Sequence, residues 1–528
     1  MQDYRRFTNS RNLQRSLLCT LPAVLLALSA CSKEKEAASK PGPAPAPAVP
    51  AASRPATVRA DAAWPNIVLI SVGTLRRDHL GCYGYNRPTS PRIDKLASEG
   101  ALFENMVSSS SWTLPAHAAM FTGLADTVHG AIESDKRLSD IHETLAERLK
   151  TIGYSTAGFF SGPYLYPAFG LGQGFDAYVD CTAYPELTEK AIEGPGLQVG
   201  GPVYQASVVD ITSPRVYQHV HDWLQGSPAR PFFLFIHLWD VHPDFNPPPP
   251  YDKMFDPDYT GTATSEDFLR NPAINPTMPK QDLEHIIALY DGEIAWTDHH
   301  VGMILDDLDS LSLRDRTIVM LTADHGEEFF DHGLKGHRHS LFDELIRVPL
   351  IVRFPGRVAA GQRYTEQSRM IDVLPTLMDL AGAPPPDNVM GRSLAPLFSG
   401  GKHSDELPAV SELYSFGARL RSFRRPDAKM IFNEATSKAR VYDLKADPGE
   451  QKGLPDLNSP VAQAILRDAQ KATAWLAEFR QRLAPAPTPA EVPDKVRDRL
   501  KSLGYVGDDG KPEDTSHNQP PASRPSSP

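Results

Sequence analysis

The sequence predicts an α/β fold: a mostly parallel sheet sandwiched by helices, with a smaller C-terminal α+β subdomain. Three observations carry this reading. Short runs at Asn66–Val72, Phe232–Ile236 and Thr317–Leu321 are apolar at nearly every position, as central strands buried on both faces must be. Helical patterns lie between them at 92–99, 140–152, 214–225 and 281–311; strands that alternate with helices build a parallel sheet. Each run then opens into a polar cluster: GTLRRDHLG after the first, HLWDVHPDF after the second and TADHGEEFFDHG after the third. Parallel sheets bind ligands beyond the carboxyl ends of their strands. The clusters fall there, and that convergence is the main argument from the residues for an enzyme.

Taken in order, residues 1–31 read as a targeting segment. Arg5, Arg6, Arg11 and Arg15 precede an apolar stretch from Leu17 to Ala30, which is short for a membrane span. Leu28-Ser29-Ala30-Cys31 resembles the bacterial lipobox, which implies lipidation at Cys31 and anchoring in the cell envelope. Ser32 after the cysteine favours the outer membrane. Residues 32–63 are an Ala/Pro-rich tether, 64–400 the catalytic domain, 401–510 the smaller subdomain and 511–528 a disordered tail. In the smaller subdomain, strands are expected near 417–424, 428–433 and 440–444, and a helix at 461–482. The loops at 180–212 and 243–280 are long and are expected to set substrate choice.

The net charge of −11 over 528 residues argues against a nucleic-acid binder, which needs a basic face. Of the four cysteines, Cys19 and Cys31 lie in the leader; Cys82 and Cys181 read as free packing thiols, with a bridge between them as the alternative.

Three clusters carry candidate chemistry. Asp324 and His325 end a strand and offer a carboxylate and an imidazole to one metal ion; the plainer reading is a polar loop. Thr113 stands two residues before Pro115 at the start of an Ala-rich helical segment. It reads either as an N-cap or as a hydroxyl nucleophile placed where helix amides collect anions. His237 and His242 bracket Asp240 and either donate to a bound oxyanion or satisfy a loop network.

With these pieces in order, the sequence resembles the sulfatase family of the alkaline phosphatase superfamily, from about Pro65 to Tyr505. The likeness rests on NIVLISVGTLRRDHLGCYGY (Asn66 to Tyr85), RPTSPRIDKLASEG (Arg87 to Gly100), SWTLPAHAAMFTG (Ser111 to Gly123), Asp324 to Gly326, HRHSLFDELIRVPL (His337 to Leu350), Val441 to Glu450 and Leu503 to Val506. The resemblance implies an alkaline phosphatase/sulfatase-like fold that hydrolyses sulfate esters, or phosphate esters in relatives, with a divalent ion such as Ca, Mn or Zn. By position, Asp324 and His325 would be metal ligands and Thr113 the nucleophile. His117, His237, His242, His337 and His339 would contact the anion or protonate the leaving group. The implied partner is an anionic ester: a sulfated or phosphorylated glycan, lipid or small molecule.

Two positions depart from the family pattern. Sulfatases oxidise a Cys or Ser at the Thr113 position to formylglycine; Thr cannot yield that aldehyde, although some superfamily relatives use an unmodified Thr. The motif's metal-binding Asp falls at Gly73, which has no side-chain ligand. Its loss lowers metal affinity by roughly 10- to 100-fold if it matters as much as a supporting partner does, unless water, Asp78 or substrate fills the gap. The competing readings are a catalytically degenerate envelope binding protein and, ranked lower, a phosphoryl or phosphoethanolamine transferase. Relatives of that last kind carry membrane spans, and no apolar run of 18 residues follows this leader.

Overall fold

Strand β1, Asn66–Val72, is buried at all seven positions and has parallel neighbours on both sides, β5 (Phe232–Leu238) and β6 (Thr317–Ala323), themselves buried throughout. Burying one large aliphatic or aromatic side chain contributes roughly 1.5–3 kcal/mol, so these three strands form the rigid centre of the molecule. The computed structural model describes residues 64–182, 211–402, 408–415, 417–503 and 505–506. The expected leader with Cys31, the tether, most of the 180–212 loop and the tail lie outside the described residues. Among the described residues no helix is long and apolar enough to cross a membrane.

The sheet runs in the order Gln362–Arg369, β2 (Ala101–Val107), Leu350–Arg353, β6, β1, β5, β3 (Ser155–Phe160) and β4 (Ala177–Asp180). Leu350–Arg353 pairs antiparallel with both β2 and β6, as does the short Arg347–Val348 with β2; the other pairs are parallel. The predicted architecture is therefore the observed one. The predicted helices appear at Pro91–Ser98, Leu145–Thr151, Ser213–Gln225 and Lys280–Ser310. The second begins five residues later than its apolar pattern suggested, because Thr144 and Glu147 close a capping box there. Cys82 and Cys181 are free thiols, so no bridge joins them.

After residue 408 comes a four-stranded antiparallel sheet, Ala409–Ser415, Ala418–Arg424, Ala428–Asn433 and Lys438–Asp443. The helix Pro460–Leu483 packs on it through Ala462, Ile465, Ala469 and Ala472 against Phe423, Met430 and Val441. The first of these strands escaped sequence reading. Its buried Ser411 and Glu412 spoil the apolar alternation that marks a strand. Glu412 is satisfied by the Thr127 amide and hydroxyl, far along the chain, and by Arg421 opposite it on the next strand.

Asp343 of the main body joins the two sheets. It accepts from Arg424 Nη2 at 2.7 Å and from Lys429 Nζ at 3.0 Å, and Lys429 also pairs with Glu450 at 2.9 Å. Burial works against the Asp343 charge, but Arg424 and Lys429 outweigh it and hold the carboxyl well below its usual range. Asp343→Asn leaves the Lys429 ammonium, 0% exposed, with one carboxylate fewer; the expected loss is about 3–5 kcal/mol, read from urea unfolding at pH 7. The sign of the pH effect follows from the depressed value: the contribution is complete above the unfolded carboxyl range near ~4 and is lost as pH falls through the folded value. The gap between wild type and variant should therefore shrink in acid.

Candidate active site

The register of the central strands places the site. Ser71 lies level with His237 and Thr322, and Val72 with Leu238 and Ala323, so Gly73 and Asp324 leave the sheet side by side, next to the His237 side chain. The Gly73 amide donates to Leu238 O at 2.9 Å. Thr74 then takes a left-handed turn (φ 51), its amide donating to Asp324 Oδ1 at 3.3 Å and its hydroxyl to Val241 O at 2.6 Å. Asp324 Oδ1 also accepts from the His325 amide at 2.9 Å. Asp324 Oδ2 is fully buried and has no partner, and neither has either ring nitrogen of His237. Buried polar atoms are nearly always paired, so these orphans mark a place built for something else. Burial disfavours the Asp324 charge, but His325, His117 and His237 outweigh it and its carboxyl stays below the ordinary range. Burial pushes His237 down to about 3, so its imidazole is neutral.

Thr113 is the first residue of the helix Thr113–Thr122, not its cap: Trp112 holds the cap position, in extended conformation and without a side-chain bond. This corrects the N-cap reading. The Thr113 hydroxyl lies 3.5 Å from His325 Nε2. His325 Nδ1 donates to Gly326 O at 2.9 Å, which leaves a lone pair on Nε2, also 3.5 Å from Asp324 Oδ2. The preceding loop is braced from the small sheet: Glu412 N donates to Ser109 O at 2.7 Å, and the hydroxyls of Ser411 and Ser110 bond Ser108 O and Glu412 O at 2.6 Å each. Ser108 Oγ in turn donates to Asp324 O.

Across the site, His337 Nδ1 lies 3.1 Å from Glu327 Oε2, and its Nε2 lies 3.1 Å from the Tyr505 hydroxyl, which also bonds His242 Nε2. His242 Nδ1 donates to Pro243 O at 2.8 Å. Burial holds Glu327 well above its ordinary range and His337 well below. One assignment satisfies every group: Glu327 donates to His337, His337 Nε2–H to Tyr505, and Tyr505 to His242.

The structure thus brings together Thr113, His237, His242, Asp324, His325 and His337. It does not bring in four others. His117 donates from Nδ1 to Thr113 O at 2.9 Å and accepts at Nε2 from Ser71 at 3.1 Å; both nitrogens are committed, so it braces the first turn of the helix and does not face an anion. His339 turns away, its Nε2 donating to Gly336 O at 3.1 Å and its Nδ1 3.8 Å from Glu328; Arg338 between the two histidines is left-handed (φ 69) and sends them apart. Asp78 does not fill the gap at Gly73, because both its oxygens are taken by Arg76 at 3.1 and 2.8 Å. Asp240 likewise serves structure, accepting from Thr212, Ser213 and Trp296 to hold the helix Ser213–Gln225. Sequence reasoning missed Tyr505 and Arg338. The guanidinium of Arg338 sits 4.2 Å over Trp112 and 4.8 Å over Tyr505. No local pattern marks either role; the only signals were the motifs that contain them, His337 to Leu350 and Leu503 to Val506.

The free lone pairs test whether a metal fits. His117, His237 and Asp324 offer ligand atoms within 4.8 Å of one another, but the bonds of His117 remove it from the set. Asp324 Oδ2 and His237 remain, and His325 Nε2 lies 3.5 Å from Asp324 Oδ2. A carboxylate beside imidazoles is a donor set that a divalent ion accepts.

A buried hydroxyl at a helix start, facing carboxylate and imidazoles at the carboxyl edge of a mostly parallel sheet, defines a hydrolase of the alkaline phosphatase superfamily. The chain belongs to the sulfatase family: the Sulfatase model matches residues 65–383, more than half of the chain. A second model, N-sulphoglucosamine sulphohydrolase, C-terminal, matches residues 330–474. Among relatives, the multifunctional alkaline phosphatase superfamily protein PehA of Trinickia caryophylli is 27% identical, covering 78% of this chain and 95% of that one. An ulvan-active sulfatase of Formosa agariphila is 25% identical, covering 85% and 86%. In fold, the phosphonate monoester hydrolase of Agrobacterium radiobacter matches with a TM-score of 0.64 and 24% identity over 79% of this chain and 96% of that one. By family, the protein is a sulfatase-type hydrolase. These relatives are named as enzymes or enzyme-superfamily members and lend no support to a degenerate binding protein.

A carboxylate at position 73 has room. A Cβ there would meet His237 Nε2 at 3.5 Å and nothing closer. Gly73→Asp is expected to tighten Zn or Mn binding by roughly 10- to 100-fold, read by calorimetric titration; unchanged affinity would place the ion away from this strand end.

Proposed function

We propose that this protein hydrolyses phosphate or phosphonate esters with an unmodified Thr113 as nucleophile. The observation that supports it is the Thr113 hydroxyl at the start of a buried helix, 3.5 Å from the lone pair of His325. Helix-start amides hold anionic oxygens. Thr113 Oγ gives its proton to water and attacks phosphorus, the bond to the leaving oxygen breaks, and His337 Nε2–H, the donor across the site, protonates that oxygen. Water then cleaves the phosphothreonine and regenerates the hydroxyl. Asp324, His237 and His325 would hold a Zn or Mn ion, whose chemistry is to lower the pKa of the hydroxyl and neutralise the non-bridging oxygens. The PehA relative is named as multifunctional in the alkaline phosphatase superfamily, which accords with phosphoryl chemistry on this scaffold. Sulfate esters are the second reading, favoured by the family model. Lipidation at Cys31 would set the enzyme on an envelope membrane, with an anionic glycan, lipid or small ester as substrate.

The test is turnover of paired nitrophenyl phosphodiester, phosphonate and sulfate substrates with Zn, Mn, Mg and Ca. Thr113→Ala should lower kcat/KM about 10³-fold or more, while Thr113→Ser keeps measurable activity. Turnover unchanged in the alanine variant would remove Thr113 from the mechanism, and a preference for sulfate would reverse the ester class.

A further inference from the structure

We propose that the C-terminal helix Asp494–Ser502 and Tyr505 form an internal plug, in which the Tyr505 phenol occupies the place of the substrate's leaving-group oxygen and withdraws before substrate enters. The inference rests on the site as read above. Its geometry is direct: one phenol oxygen bonds Nε2 of both His242 and His337, the atoms that would face an ester's departing oxygen. The ring fills the space beyond, 4.8 Å from the Arg338 guanidinium and 5.3 Å from the Tyr164 ring. With it in place Thr113 is 3% exposed, His242 2% and His337 6%. An ester carrying a leaving group does not reach the hydroxyl through such a surface.

The attachment of the plug is light. The helix itself buries Val496 and Leu500, Tyr505 and Val506 are buried beyond it with Leu503 packed alongside, and the Tyr505 amide returns to Leu500 O at 2.9 Å. Polar contacts add to this: Arg270 donates to Ser502 O at 2.9 Å on the surface, Lys495 lies 5.7 Å over Tyr166, and upstream the Ala490 amide donates to Asp135 O at 2.8 Å. None of these groups belongs to the sheet. Segments with few buried apolar contacts open locally at small cost, so this one can leave without disturbing β1, β5 or β6. The phenol is held by the same donor and acceptor that a substrate needs. Substrate and plug therefore compete for one pair of histidines, and the affinity for substrate is reduced by the fraction of molecules that are open.

The experiment uses the full chain as wild type, Tyr505→Phe and Tyr505→Ala, with thermal unfolding to confirm that each variant folds. Carbethoxylation of His242 and His337 by diethylpyrocarbonate is followed by peptide mass spectrometry, with exposed His299 as the internal standard. An open state that is 0.1–10% populated predicts roughly a 10- to 1,000-fold faster reaction of both histidines in Tyr505→Ala, with His299 unchanged, and kcat/KM rising by the same factor. Tyr505→Phe keeps the packing but frees both nitrogens, so it should show a smaller acceleration even if the alanine variant is unstable. Histidine rates equal to wild type in both variants would overturn the plug. Exposed histidines without turnover of any ester would leave the plug standing and remove the catalytic reading.

Discussion

The structure depends on one buried carboxylate. Asp324 sits where β6 leaves the sheet, and its two oxygens have opposite fates: Oδ1 accepts from two backbone amides, while Oδ2 is bare. An unpaired charge in a protein interior costs several kcal/mol. The fold bears that cost at the junction of its three most buried strands, where nothing can shift to relieve it. The left-handed Thr74, the neutral His237 and the His325 lone pair all follow from holding that oxygen in place and leaving it open. A buried carboxylate oxygen held without a hydrogen-bond partner by rigid strands is chemically suited to a cation, and the helix-start hydroxyl lies beside the neighbouring His325.

The central sheet and the long helices were legible because burial on both faces leaves an uninterrupted apolar run, and helix burial leaves a 3.6-residue period. Asp324 and His325 were legible as candidates because polar residues at a strand end have few purely structural reasons to be there, and Thr113 by its place just before Pro115 at a helix start. What was not legible was direction. His117 lies one turn from Thr113 and His339 two residues from His337, but a hydrogen bond to Thr113 O and a left-handed Arg338 orient them differently. Spacing along a chain does not encode which ring nitrogen meets which carbonyl. Tyr505 was harder still, since its partners lie 263 and 168 residues away.

Gly73 shows how a departure from a family pattern can be structurally quiet. The position has no left-handed backbone requirement and no crowding that demands glycine, and its amide keeps the strand bond to Leu238. The missing carboxylate is therefore a change in the charge of the cavity and not in the frame. It leaves one acid among imidazoles, a set that discriminates by ligand softness where an acid-rich site would discriminate by size and charge.

The small C-terminal sheet is more than an appendage. Its first strand, Ala409–Ser415, hydrogen-bonds the Ser108–Ser110 loop that leads into the Thr113 helix, and that loop holds the Asp324 carbonyl. The nucleophile loop is thus a shared wall between two sheets. Any ancestor or engineered version that ended before this strand would have lost the support of its own reaction centre, so the two parts are bound to change together and cannot be exchanged as independent modules.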